Sequence, residues 1–229
     1  MSAVGHKREL FESIVRLRRA GRELPHNRDI YAVRAMLEGQ LGETVSRRLA
    51  ARILGVSHTA LDRWIRSGDI PVVYSTSGRL EVPVPALLDL RDSLESGRAN
   101  STRRVLAPEI ARRRQAAERL RLPELDATGE QDPHGRARAR SLAYHRAVAD
   151  RLTPAMVDEA RYVLFRWREQ DRIDRRYSDR WERLLDKPIE ELRRALVDEA
   201  PDSDDLRQNS PFAGLLSEPE RNRIMREVV

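Results

Sequence analysis

Residues 46–90 read SRRLAARILGVSHTALDRWIRSGDIPVVYSTSGRLEVPVPALLDL, and this stretch decides the fold of the front half of the chain. It predicts two short helices around a tight turn, then a β-hairpin and a third helix. Ser46 is the expected N-cap of the first helix. Gly55 is expected to end it, because glycine adopts the left-handed backbone conformation without a Cβ clash. The apolar face of this helix consists of Leu49, Ala50, Ile53 and Leu54.

The second helix follows at once and completes a helix-turn-helix pattern. Ser57 is its expected N-cap, and Gly68 is expected to end it. Its apolar positions are Leu61, Trp64 and Ile65. In a helix-turn-helix the second helix enters the major groove of DNA, so its remaining side chains are candidates for base and phosphate contacts.

A hairpin is predicted after these helices. Residues 72–74 form a β-prone run, and residues 75–78 contain turn-forming serine and glycine. Leu80 and Val82 then alternate with Arg79 and Glu81, as in a return strand. Such a hairpin is a wing, whose tip can touch the DNA backbone or minor groove, and Arg79 projects from it.

The segments AARILGVSHTALDRWIRSGDIP and SGRLEVP together resemble the winged helix-turn-helix of MerR-type regulators and excisionases. The stretch is about a fifth of the chain. The resemblance implies binding to double-stranded DNA, with Arg63 and His58 approaching base edges, Arg66 meeting phosphate and Arg79 on the backbone or in the minor groove. The full set of predicted DNA-binding residues is Arg47, Arg48, Ser57, His58, Thr59, Arg63, Arg66 and Arg79.

Composition agrees with a nucleic-acid-binding protein. The chain of 229 residues carries a net charge of +6 and has no cysteine, which excludes a disulfide framework and a thiolate metal site. Residues 1–122 hold 23 basic and 14 acidic residues, whereas residues 123–229 hold 20 and 23. The basic half suits phosphate neutralisation, and the acid-rich half suits a protein partner or a dimer interface. Without an apolar run of membrane-spanning length or a signal segment, the expected location is the bacterial cytoplasm, at the nucleoid.

The fold class predicted from these patterns is mainly α, with a winged helix-turn-helix domain, its small β-hairpin wing and a helical C-terminal domain. Four regions are expected. Residues 1–98 contain the N-terminal helices and the winged domain, residues 99–135 an arginine-rich helix and a linker, residues 136–200 a helical domain, and residues 201–229 a docking tail and a terminal helix.

Two alternatives stay open at the front of the chain. A helix at 6–20 and another that begins near Asn27, with Ile30, Val33, Leu37 and Leu41 at helical spacing, either complete the core of the winged domain or form a dimerisation arm. Residues 95–102 are predicted to be a hinge and residues 122–135 a linker. The arginine-rich helix between them, at about 107–120, either follows DNA phosphates or presents a solvated face.

The back half is predicted to contain helices at 138–151, after the cap Thr153, at 178–185 and at 188–197, with Trp181, Leu184, Leu192 and Leu196 in its core. The tail segment LRQNSPFAGLL, residues 206–216, has little periodicity and is expected to dock, either on its own domain or on a partner protein. The partner-binding candidates are Leu206, Arg207, Ser210, Pro211, Phe212 and Leu215. Residues 217–229 read as a capped terminal helix.

Catalysis is not expected. The five histidines are scattered, and no metal-ligand spacing, phosphate-binding loop or nucleophile motif occurs in the sequence. Asp171, Asp174 and Asp179 lie among arginines and are predicted to form a salt-bridged surface. We therefore expect no enzyme activity, no cofactor and no metal.

Three functions remain as hypotheses. The first is an antitoxin and transcriptional autorepressor of a bacterial toxin–antitoxin pair, a homodimer that binds an inverted-repeat operator and the cognate toxin. Its tail resembles the C-terminal ends of actinobacterial antitoxin-like regulators. The second is a phage excisionase or architectural protein that bends DNA, although excisionases are shorter. The third is a ligand-responsive MerR-type regulator, for which the helix after residue 107 is too short and too polar.

Overall fold

The computed structural model describes residues 3–75, 78–96, 106–122 and 133–228. These residues form twelve helices and three short strands, so the prediction of a mainly helical chain with a small β element is confirmed. The chain divides into two compact units, Met1–Ala116 and Ala117–Val229. Each unit has its own hydrophobic core.

Unit 1 contains six helices and all three strands of the described residues. In chain order they are α1 (Ala3–Glu23), α2 (Arg28–Leu41), β1 (Thr44–Ser46), α3 (Arg47–Leu54), α4 (His58–Arg66), β2 (Val73–Tyr74), β3 (Leu80–Pro83), α5 (Val84–Ser96) and α6 (Leu106–Glu118). The last residues of α6 fall beyond the division between the units.

The two short helices of the predicted helix-turn-helix begin and end through the expected capping contacts. The Ser46 hydroxyl accepts a hydrogen bond from the Leu49 amide at 3.3 Å, and the Ser57 hydroxyl accepts one from the Ala60 amide at 3.2 Å. Gly55 has a φ of 68°, the left-handed conformation that was expected there. The second helix ends at Arg66, slightly before the predicted end.

The hairpin belongs to a three-stranded antiparallel sheet in the order β1-β3-β2. Strand β1 was not predicted, because three residues are too few to show alternation and the last of them also caps α3. Val45 of β1 lies opposite Val82 of β3, and both side chains are buried. The central strand is therefore β3, and β2 lies at the edge of the sheet.

The core of unit 1 shows what α1 and α2 do. Phe11 and Ile14 of α1 are fully buried, and Leu41 of α2 is buried with them. However, Val33 and Met36 of α2 are 43% and 55% exposed, so Val33 lies outside this core although it stands at helical spacing with Leu37 and Leu41. Helix α1 completes the core of unit 1, and α2 does so only in part.

Buried ion pairs fasten α1 to α5. The Arg18 guanidinium, 8% exposed, lies 3.0 Å from Oδ1 of Asp89 and 2.8 Å from Oδ2 of Asp92. Arg22 reaches Asp92 at 3.2 Å. These pairs fix the first helix of the chain against the helix that follows the hairpin.

The first arginines of α6 bind protein groups of unit 1. Arg113 donates to Glu109 and to the Asp89 carbonyl, both at 3.0 Å. Although burial raises the pKa of Glu109, hydrogen bonds from Arg112 and Arg113 hold it below its ordinary value. Arg114 donates from Nε to Oδ1 of the buried Asp69 at 2.6 Å. The arginines at this end of the helix, which were candidates for contacts with DNA phosphates, therefore bind protein groups instead.

Unit 2 consists of α7 (Pro133–Arg151), α8 (Pro154–Glu169), α9 (Arg175–Leu185), α10 (Ile189–Leu196), α11 (Pro201–Gln208) and α12 (Glu218–Glu227). Thr153 caps α8 and Asp174 caps α9. Trp181, Leu192 and Leu196 lie in the core as predicted. Leu185, four residues after Trp181 and so on the same helix face, is fully buried at the end of α9, whereas the predicted Leu184 is only partly buried against this core.

The predicted hinge at 95–102 and the predicted linker at 122–135 each overlap a neighbouring helix. Residues 95 and 96 of the predicted hinge belong to α5, and residues 133–135 of the predicted linker belong to α7. Residues 97–105 and 123–132 lie outside the described residues. The segment 201–208 forms α11, which the sequence analysis did not predict.

The Asp69–Arg114 pair generates a stability prediction for unit 1. The side chain of Asp69 is 2% exposed and that of Arg114 is 48% exposed. Arg114→Ala leaves a carboxylate buried without its cation, so we expect a loss of about 2 kcal/mol, less than for a fully buried pair. Gln115→Ala, at an exposed position of the same helix, is the control. Urea unfolding of both variants tests this, and equal midpoints would contradict it.

Candidate nucleic-acid interface and predicted docking segment

Helix α4 has one buried and one exposed face. Leu61 and Trp64 point into the core. Thr59, Arg63 and Arg66 are four and three residues apart, so they share a face, and all three are exposed. The predicted contact residues of this helix are therefore presented to solvent together.

A carboxylate lies within this exposed surface. Oδ1 of Asp62 is 2.9 Å from Nη1 of Arg47, and its Oδ2 is 3.0 Å from Nδ1 of His58. Asp62 thus links the first residue of α3 to the first residue of α4. Sequence analysis placed Arg47 and His58 at the interface but missed Asp62, although it stands four residues after His58 on the same helix face.

The remaining arginines near α4 have few protein partners. The guanidinium of Arg63 lies 5.7 Å from the centroid of the Trp64 ring, and Nε of Arg66 donates to the Asp62 carbonyl at 3.4 Å. Arg48 is exposed on α3 and forms no ion pair within the described residues, and the same is true of Arg52 one turn later. Arg52 was not predicted, although the spacing of four residues from Arg48 is a signal for it.

The hairpin presents a further arginine. Arg79 is exposed; its amide donates to the Ser75 hydroxyl at 3.2 Å, and its carbonyl accepts from the Ser75 amide at 2.8 Å. Gly78, just before it, has a φ of 73°, which only glycine adopts readily. Residues 76 and 77 of the predicted turn lie outside the described residues. The turn therefore holds the backbone of Arg79 and leaves its side chain in solvent.

The exposed cations of unit 1 are chemically suited to anions. Guanidinium groups offer five N–H donors and no acceptor, and they match phosphate or guanine edges in two-point contacts. The exposed cations of α3, α4 and the hairpin supply such groups, and Asp62 supplies an acceptor among them. Ser57 has another role, since its hydroxyl caps α4.

The predicted docking segment is packed into unit 2. Phe212 is fully buried and meets Trp181 edge to face, with ring centroids 5.7 Å apart. Leu206 and Leu216 are also buried in this core. The structure therefore has the segment docked on its own domain, the first of the two alternatives left open by the sequence.

The hydroxyl of Tyr144 on α7 holds the backbone of this segment. It donates to the Phe212 carbonyl at 3.0 Å and accepts from the amides of Gly214 at 2.9 Å and Leu216 at 3.3 Å. Burial raises the pKa of this phenol. A single hydroxyl thus satisfies three backbone groups of a segment without regular structure.

The other partner-binding candidates are occupied as well. Arg207 is buried and donates to the Asp204 carboxylate and the Asp198 carbonyl. Ser210 and Pro211 are buried, whereas Leu215 is half-buried. In this conformation the segment offers a partner neither the ring of Phe212 nor the guanidinium of Arg207.

A neutral histidine lies beside this packing. His145 is buried, and its Nδ1 donates to the Ser141 carbonyl at 2.7 Å, whereas its Nε2 has no hydrogen-bond partner in the described part of the chain. Burial, with the nearby charge of Arg207, lowers the pKa of His145 to about 4. The imidazole is therefore uncharged at neutral pH.

No group of three or more His, Cys, Asp or Glu residues in the described ranges could hold a metal ion. None of the described helices has the length and apolar character needed to cross a membrane. Comparison of the chain with protein-family models, curated proteins and solved structures finds no match.

The packing of Phe212 generates a prediction. Phe212→Ala removes a fully buried ring, so we expect unit 2 to lose about 3–5 kcal/mol of stability. Met225→Ala, at a side chain that is 56% exposed, is the control and should change little. Hydrogen exchange of peptides from α7 to α12 measures both. Equal protection in the two variants would show that the segment does not stabilise this unit.

The pKa of His145 generates a pH prediction. In the unfolded chain the imidazole of His145 binds a proton near pH 6.5, whereas in the folded chain its pKa is about 4. Protonation therefore favours the unfolded chain, and unit 2 loses stability as the pH falls from about 6.5 to about 4. Between pH 7.5 and pH 5 the loss should be roughly 2 kcal/mol. His145→Gln should remove most of this dependence, as measured by hydrogen exchange at both pH values. An unchanged pH dependence in the variant would refute the assignment.

Proposed function

We propose that this protein binds double-stranded DNA in a sequence-specific manner and regulates transcription. Unit 1 would bind the DNA as a winged helix-turn-helix. The observation that carries the proposal is the exposed face of α4, where Thr59, Arg63 and Arg66 stand together on a capped helix whose other face is buried. An outward, cationic helix of this kind fits the major groove.

Different arginines take different roles in this proposal. Arg63, one turn after the start of α4, reads a base edge, since the first turns of a recognition helix approach the bases. Arg66, near the end of the helix, meets phosphate. Arg48 and Arg52 of α3 lie on the helix that crosses the backbone and add phosphate contacts. Arg79 contacts the backbone or the minor groove from the hairpin.

We further propose that the chain binds an inverted repeat as a homodimer. One small module buries only about 600–1,000 Å² on DNA, which favours pairing of two modules for tight and specific binding. The exposed Val33 and Met36 of α2 favour the alternative in which this helix takes part in dimerisation. Half-sites should then be one helical turn apart or a multiple of it.

The antitoxin role stays a prediction, but it loses one of its supports. It assumed a tail that is free to bind the toxin, whereas Phe212 and Arg207 of the tail are buried in unit 2. A toxin would have to bind another surface or displace the segment. For the ligand-responsive alternative, a long dimerisation helix would be needed, and α6 has 13 residues with arginines bound to Glu109 and Asp69. The excisionase alternative shares the DNA-binding unit and leaves unit 2 without a role.

Selection of duplexes from a random pool by the full chain tests the proposal. A short consensus arranged as an inverted repeat is the expected result. Arg63→Ala should then weaken binding to the selected duplex by about 10- to 100-fold, because a two-point contact to guanine is lost, and should weaken binding to an unrelated duplex much less.

Arg175→Ala, at an arginine of α9 whose side chain is 94% exposed, is the matched control and should leave the preference for the selected duplex unchanged. If no sequence is enriched, the chain is not a sequence-specific DNA-binding protein. If Arg63→Ala weakens both duplexes equally, Arg63 is a phosphate contact rather than a reader of bases.

A further inference from the structure

Helix α2 turns an uncharged face toward water. Its opposite side is anchored in unit 1, where Tyr31, Arg34 and Leu41 are buried. Beyond the first turn, the exposed residues of the helix, which we call the α2 face, are Ala32, Val33, Met36, Gly39 and Gln40. None of them is charged, although 35% of the residues of the chain are. Such a face, with two large apolar side chains near its centre, indicates a surface that another chain covers.

Opposite charges stand at the two ends of the α2 face. Arg28 is exposed in the first turn of α2, and Glu43 is exposed directly after Gly42, the residue that ends the helix. Neither of these two charged side chains forms an ion pair within the described residues. Asp29 is also exposed, but each residue turns the helix by about 100°, so Asp29 lies on the flank of Gln40 rather than on that of Arg28. Arg28 and Glu43 are therefore available to a partner that offers the opposite charge at each end.

A two-fold axis between residues 35 and 36 brings these features into register with those of a second copy of the chain. Such an axis sets the two α2 helices antiparallel and places Arg28 opposite Glu43 of the second copy. The same axis places Ala32 opposite Gly39 of the second copy, where the side chains are small and the backbones can approach. A Cβ added at Gly39 would meet no atom within 4 Å, so this position is open. Met36 then lies beside the axis and packs against its own copy.

Charge favours this orientation and this partner. In a parallel pair, Arg28 would face Arg28 of the second copy, and like charges at close range are unfavourable. In the antiparallel pair, Asp29 comes within two residues of the position opposite Gln40 of the second copy, whose amide can donate to its carboxylate. The α2 face with its two charged ends is thus complementary to itself, which is the requirement for contact across a two-fold axis.

We propose that the α2 face binds the α2 face of a second copy, with the helices antiparallel and an ion pair between Arg28 and Glu43 at each end. This inference rests on the homodimer of the proposed function and names the surface and the orientation of its contact. One helix face is smaller than a standard interface, which buries about 1,200–2,000 Å² in total, so the dimer is weak in the absence of DNA. A duplex with two half-sites would strengthen it by holding both copies close together.

Sedimentation of the full chain without DNA, over about 1–100 µM, measures this association directly. A monomer–dimer equilibrium is the expected result. Met36→Glu sets two carboxylates beside the axis and should weaken dimerisation by about tenfold or more. Because Met36 is already 55% exposed, the variant should fold as before, with unchanged circular dichroism. Met225→Glu, at a methionine of unit 2 that is 56% exposed, is the matched control and should leave the association unchanged.

Exchange of the charges tests the register of the two helices. Arg28→Glu gives a chain with two acidic ends, and Glu43→Arg gives a chain with two basic ends. Each variant alone should dimerise about threefold to tenfold more weakly, since like charges then face each other. An equimolar mixture of the two variants should dimerise again, because the acidic ends of one face the basic ends of the other.

The possible failures can be told apart. A chain that stays monomeric over the whole concentration range overturns the interface, whatever its binding to DNA. A dimer that persists in Met36→Glu as it does in Met225→Glu overturns the α2 face as its contact and leaves the homodimer of the proposed function standing. A mixture of the two charge variants that stays monomeric overturns the antiparallel register. If Met36→Glu dissociates the dimer but the unsubstituted chain enriches no duplex, the interface is supported and the DNA-binding function fails.

Discussion

The buried carboxylate of Asp69 holds together the part of unit 1 on which the candidate interface depends. It binds the Ser67 hydroxyl and the Arg114 guanidinium. The oxygen of this hydroxyl also lies 3.1 Å from the carbonyl oxygen of Arg63 and 3.2 Å from that of Trp64, in the last turn of α4. The carboxylate of Asp69 therefore connects three elements: the end of α4, the segment that leads into the hairpin, and α6. Because a buried carboxylate is costly without partners, the geometry of all three elements is coupled.

In unit 2 an uncharged side chain, Tyr144, likewise connects separate parts of the fold. The final segment of this unit has little regular structure between α11 and α12, so its backbone polar groups need partners from elsewhere. The Tyr144 hydroxyl provides them, and Phe212 fills the adjacent core against Trp181. A sequence that reads as an unpaired docking motif is thus completed within its own domain. Apolar residues in an irregular stretch indicate that a surface will be covered and do not indicate by which chain.

Most helices could be predicted from residues close to each other in sequence. Contacts between residues that are far apart in sequence could not be predicted. Ser46, Gly55 and Ser57 mark helix boundaries through bonds to near neighbours, and these boundaries were predicted correctly. Strand β1 was missed because its pairing partner β3 is far away in sequence: Val45 and Val82, which lie opposite each other, are 37 residues apart. The exposed arginines of the interface could be predicted from helical spacing. Their ion pairs could not, since Arg18–Asp92 and Arg114–Asp69 join residues far apart in sequence.

The carboxylate of Asp62 has a consequence for how such a protein would search a genome. An evenly cationic helix binds any duplex, and a genome offers on the order of a million or more competing sites. In the proposed complex with DNA, the carboxylate of Asp62, which is held at 2.9 Å from Arg47 and 3.0 Å from His58, would disfavour phosphates wherever the fit is poor. The same oxygens can accept a hydrogen bond from a cytosine amino group where the fit is right. The acid would thus shorten the residence time on wrong sequences, so that fewer copies of the protein suffice to keep one operator occupied.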